Sequence, residues 1–131
     1  MKQKKVIALI KKYCVRWSYR LGLNWWHIDL VFYDNPAEIL KRFSSGEDKT
    51  VLAIVYPEWK YSTAKIIFNA PAWKDLDKEE IERAVLHELC HILVNEMHEG
   101  EIHHEERVVT GLQRAFMWTE ADVLRSDGIS L

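Results

Sequence analysis

Within five consecutive residues, His87, Glu88 and His91 have the types and the spacing for metal-assisted hydrolysis. On an α-helix, residues four apart stand about 40° apart around the axis and one turn along it, so two such imidazoles reach one metal ion at ~2.0–2.1 Å. Glu88, about 100° from His87, is badly placed to ligate the same ion. It is well placed to take a proton from a water held on the ion's open side. Zinc lowers the pKa of that water to about 7, within reach of a carboxylate base.

The residues around this motif predict a central helix. Asp77 and Glu80 have the spacing of a capping box with Asp as the cap, and Asp75, Glu79 and Glu80 put negative charge where the helix dipole favours it, so the helix starts near Lys78. Ile81, Ala84, Val85, Leu86, Leu89, Ile92, Leu93 and Val94 cover most of the circumference, the pattern of a buried helix. His87, Glu88, His91 and Asn95 share the remaining face. Four polar groups there are costly unless they line a cleft or bind something. Cys90 points away from the metal side, which suits packing.

A catalytic zinc takes three protein ligands, and the downstream candidates are His98, His103, His104, Glu105 and Glu106. His98 shares the stripe of His87 and His91 but lies ~10 Å beyond His91 on a continued helix, too far for one coordination sphere. After Gly100, Val108, Val109, Leu112, Ala115 and Phe116 recur at helical spacing. Glu105 lies within about 20° of the centre of that stripe and Glu106 about 120° off it. A lone glutamate heading an apolar stripe is a poor core residue and a good inward ligand, so Glu105 is the preferred third ligand, with Glu106, His103 and His104 as alternatives. If the first helix ran unbroken to Gly100 and the chain turned straight back, Glu105 would stand ~6 Å from the level of His91. The helix therefore has to end earlier, or residues 96–102 have to form a loop.

The two motifs, Val85-Leu86-His87-Glu88-Leu89-Cys90-His91 and His104-Glu105-Glu106-Arg107-Val108-Val109, resemble the gluzincin class of zinc metallopeptidases, and with the small size the minimal metallopeptidase-like proteins of phages and prophages. The resemblance implies a zincin-like fold, Zn²⁺ held by His87, His91 and a glutamate, and Glu88 as base. One departure from the gluzincin pattern concerns the third ligand. Val108 and Val109 stand third and fourth after Glu105, where a small polar residue would orient a ligand, whereas Thr110 stands fourth after Glu106.

The remainder reads as an α+β scaffold of about three long helices on a small, mostly antiparallel three-stranded sheet. A helix over residues 3–21 buries Val6, Ile10, Tyr13, Cys14, Trp17 and Leu21 and stops at Gly22. Strands follow at Trp26–Tyr33, Thr50–Tyr56, closed by Pro57, and Ala64–Asn69, with Glu58–Thr63 as a hairpin connection. The resemblance places one edge strand along the substrate cleft, where a peptide or protein substrate could add as a further strand. Tyr56, Tyr61, His103 and His104 are candidates to stabilise the developing oxyanion.

The chain of 131 residues suits one zincin-like domain, 1–131, without linker or repeat; only Phe43–Lys49 reads as an extended loop. The apolar run Val6–Ile10 is too short for a signal segment, no stretch approaches a membrane span, and the two cysteines call for no disulfide, so a cytoplasmic protein with no membrane partner is expected. The net charge of −2 argues against the whole molecule as a nucleic-acid binder. Lys2, Lys4, Lys5, Lys11, Lys12, Arg16 and Arg20 make the first helix locally basic, which is usually a solvated face. The function expected is a zinc metallopeptidase. Two other classes are a zinc-stabilised binding or regulatory protein without turnover, and an accessory protein that meets nucleic acid through the first helix.

Overall fold

The structure, a computed structural model, describes residues 1–35, 51–95 and 105–130, with only the backbone described for Trp59 and residues 122–130. Among the described residues three helices and three strands follow the order α1 (Gln3–Arg20), β1 (His27–Tyr33), β2 (Ala53–Glu58), β3 (Thr63–Asn69), α2 (Lys78–Leu93) and α3 (Glu105–Ser130). Short 3₁₀ turns at Trp59–Tyr61 and Ala70–Trp73 flank β3. The α+β expectation holds. Among the described residues no helix is long and apolar enough to cross a membrane.

Helix α1 buries Val6, Leu9, Ile10, Tyr13, Cys14 and Trp17. It ends where Gly22 adopts φ +72°, a conformation that costs a residue with a Cβ and suits glycine. Helix α2 begins as its cap predicts: Asp77 Oδ1 accepts from the Glu80 amide at 2.8 Å. It ends at Leu93, well short of Gly100, and the Asn95 amide nitrogen donates to the carbonyl of Ile92. That early end resolves the axial mismatch, because it frees the chain to bring Glu105 and Glu106 back to the level of the histidines.

The strand order is β1-β3-β2. The sheet is mixed, where mostly antiparallel pairing was expected: β1 runs parallel to β3, and only β2 is antiparallel to it. The turn at residues 59–62 makes β2 and β3 a hairpin, and β3 then inserts between β1 and β2, so β1 meets a strand that runs its own way. Pro57 lies inside β2 instead of closing it. An edge strand tolerates proline because its outward backbone needs no ladder partner.

One face of the sheet joins the helices in a common core. Ala64, Ile66 and Phe68 of the central strand meet Ile81, Val85, Leu86, Leu89 and Ile92 of α2, with Val109 of α3. Phe68 stacks on Phe32 at 5.1 Å between centroids and meets Trp73 edge-on at 5.5 Å. Glu82 locks α2 to α1 by accepting from Trp17 Nε1 at 2.8 Å and pairing with Arg16 at 3.0 Å. The approach to β2 is fixed by Trp73 Nε1, which donates to the carbonyl of Leu52 at 2.9 Å, and by Asn69 Nδ2, which donates to that of Val51. These bonds hold an edge strand in place beside α2.

Candidate metal centre

His87 and His91 project from α2 as the four-residue spacing requires, their ring centroids 5.2 Å apart. Glu106, in the first turn of α3, reaches both. Its Oε2 lies 3.1 Å from His87 Nε2 and its Oε1 2.8 Å from His91 Nε2. One ligand atom from each of the three lies within 4.8 Å of the others. Neighbouring ligands of a tetrahedral zinc stand about 3.3 Å apart when each bond is ~2.0–2.1 Å, so the two contacts have the right scale. A carboxylate only accepts, so each Nε2 contact requires a proton between nitrogen and oxygen. A divalent cation held there would take the place of those protons, with His87, His91 and Glu106 each offering one ligand atom.

The structure gives Glu105 a different place from the one its stripe position suggests. Its Oε2 lies 2.7 Å from His91 Nδ1, the ring nitrogen other than the one that faces Glu106. Both side chains are well covered, at 12% exposure for His91 and 19% for Glu105, against 71% for Glu106. The physical reason is the location of the histidines. They sit at the rim of the α2–α3 contact, so the glutamate on the flank of the α3 stripe meets their Nε2 atoms while the one at its centre passes behind His91. His98, His103 and His104 lie outside the described residues.

His87 has a second neighbour that lies outside both sequence motifs. Gln113, buried on α3, hydrogen-bonds with its side chain. Burial lowers the His87 pKa most; the Glu106 charge opposes this, His91 adds to it, and hydrogen bonds that the imidazole donates to Glu106 and Gln113 again oppose it. A signal was present in the sequence. Gln113 interrupts the apolar run of Val109, Leu112 and Phe116 just as Glu105 does, and stands two helical turns after Glu106.

Glu88 shares the cleft with these residues. Burial pushes its carboxyl up to about 8, and the nearby charge of Glu106 adds to the rise. A cation among His87, His91 and Glu106 would reverse the sign of that local field and favour the ionised carboxylate a base must be. Cys90 is buried in the core with its thiol pushed up to about 12 by burial, consistent with packing.

The cleft has a volume of about 600 Å³ and runs between β2 and the two helices that carry the site. Val51–Val55 and Pro57 form one wall; Leu76, Ala84, His87, Glu88 and His91 form the other. Neither tyrosine proposed for the oxyanion lines it. Tyr56 faces a shallow depression with Asp29, Glu58 and Lys65 on the other side of the sheet, because alternation sends it opposite to Val55 and Pro57. Tyr61, in the hairpin turn, is 75% exposed.

The site thus brings two imidazoles and a carboxylate together beside a half-buried glutamate and an apolar cleft, a set of groups that could hold a metal ion. No curated protein and no solved structure matches the chain. A family match covers most of its length: residues 1–115 fit the family described as "putative phage metallopeptidase", and the chain belongs to that family.

Proposed function

We propose that the chain is a zinc-dependent peptidase in which His87, His91 and Glu106 hold the metal and Glu88 is the general base. The observation that carries this reading is the convergence of Glu106 on both Nε2 atoms beside a half-buried Glu88 in an edge-strand cleft. Bound Zn²⁺ would supply Lewis acidity, acidifying a water and polarising a carbonyl.

The chain's own residues do the rest. The outer backbone edge of β2, unpaired among the described residues, can hold an extended peptide by strand addition, and the apolar wall of Val51–Val55 excludes water from it. Glu88 takes the proton of the attacking water and passes it to the amine nitrogen as the peptide bond breaks. Glu105 holds the proton on His91 Nδ1 and so keeps the Nε2 lone pair available to the metal, and Gln113 fixes the ring of His87. Glu105 is thereby a positioning residue.

The test is hydrolysis by zinc-loaded protein of a denatured-protein peptide mixture, read by mass spectrometry of new termini. Wild type should generate new termini, while Glu88→Gln should keep its zinc and generate none. Equal cleavage by both would remove the general-base assignment. Zinc binding without any Glu88-dependent cleavage would favour a zinc-stabilised binding protein.

A further inference from the structure

The charge of this chain is distributed unevenly. Residues 1–28 hold seven of its 18 basic residues and none of its 20 acidic ones, so the rest of the chain carries −9. In the fold six of these cations fall on α1, and Lys2 is the residue that caps its N-terminus. Arg16 and Arg20 are paired with Glu82 and Glu120. Lys4, Lys5, Lys11 and Lys12 are exposed, and among the described residues none has an acidic partner.

Helical geometry arranges the four lysines in two rows. Lys4 and Lys11 form one and Lys5 and Lys12 the other, about 100° apart around the axis, each row repeating after ~10.5 Å. Between the rows lie Ala8, Val15 and Tyr19, all exposed. An interfacial membrane helix needs a broad apolar face to bury in lipid, but the apolar face of α1 is already spent on the core, leaving only two sizeable side chains outside. A single strand calls for a row of stacking aromatics, and Tyr19 is the sole aromatic ring between the lysine rows. A convex helix, roughly 10–12 Å across with cations on both flanks, instead suits the major groove of B-form DNA, about 12 Å wide and walled by phosphates.

We propose that the outer face of α1 docks on duplex DNA through its phosphates, with Lys4, Lys5, Lys11 and Lys12 as the contacts. Lysines are point charges without the planar fork that reads guanine, so the binding is independent of sequence. The acidic remainder of the chain repels DNA and leaves α1 as the face that approaches it. No residue of α1 lines the cleft, so DNA and a peptide can be held together.

The test is fluorescence anisotropy with a mixed-sequence DNA duplex of roughly 30 base pairs, titrated at several salt concentrations from about 50 mM upward. Micromolar to sub-millimolar binding is expected, with log K falling against log salt at a slope of about −3 to −4 for four contacts. Lys4→Gln with Lys5→Gln, Lys11→Gln and Lys12→Gln should weaken it at least tenfold. The pairs Lys4→Gln/Lys11→Gln and Lys5→Gln/Lys12→Gln, milder to the fold, should each lower the slope by about two. A control losing the same charge elsewhere, at Lys60, Lys65, Lys78 and Arg114, should bind as wild type does. Absence of binding at the lowest salt, equal loss in the control, or tighter binding to phosphatidylserine vesicles than to the duplex would overturn the proposal.

Discussion

Glu105 Oε2 stands 2.7 Å from His91 Nδ1, so the carboxylate on the central line of α3 grips the imidazole from the side that does not face Glu106. Two adjacent glutamates thus address the two nitrogens of one ring. In the proposed function Glu106 holds the metal, while Glu105 fixes the orientation and tautomer of its ligand His91.

Removal of Glu105 should therefore loosen the metal without abolishing its binding. Glu105→Ala is expected to weaken zinc affinity by roughly 10- to 100-fold, the usual cost of losing such an orienting partner, and Glu105→Gln should restore part of it. Competition with a chromophoric chelator reads both. Unchanged affinity in Glu105→Ala would show that the 2.7 Å contact has no bearing on the metal.

Glu88 makes the metal-free protein lose stability as pH rises from acid to about 8. Its folded-state carboxyl is pushed up to about 8 from an ordinary 4.5. The folded state then holds a proton that the unfolded chain releases, so stability declines as pH rises from 4.5 to about 8. In thermal melts with chelator, Glu88→Gln should gain on wild type across that window, by on the order of several degrees at its upper end. A difference between the two proteins that stays constant with pH would show that Glu88 ionises normally.

Much of the fold could be read from the sequence because its signals are local. Asp77 as a cap, Gly22 as a stop and most of the apolar positions of α1 and α2 are set by neighbouring residues and stand where expected, although Leu21 is only half-buried beyond the end of α1 and Leu93 is exposed at the end of α2. The pairing of β1 with β3 depends on a contact across the whole β2 hairpin, which alternation within a strand cannot reveal. The same holds at the site. His87, Glu88 and His91 are fixed by one helix, but the choice between Glu105 and Glu106 depends on how α3 meets α2. Position on an apolar stripe identifies what faces the interior, and the histidines lie at the rim.

Tyr56 illustrates the limit in the other direction, since type alone made it a candidate and position removes it. Tyr56→Phe should leave kcat/KM within about twofold of wild type, far from the ~10²–10³-fold loss expected of an oxyanion donor. A loss in that larger range in a steady-state peptidase assay would place the hydroxyl on the reacting carbonyl.

Zinc content by elemental mass spectrometry of untagged wild type, Glu105→Ala and Glu106→Ala tests the central assignment most directly. About one zinc per chain is predicted in wild type, retention in Glu105→Ala when zinc is in excess, and loss in Glu106→Ala. Zinc kept by Glu106→Ala and lost by Glu105→Ala, or absent from reconstituted wild type, would contradict the account.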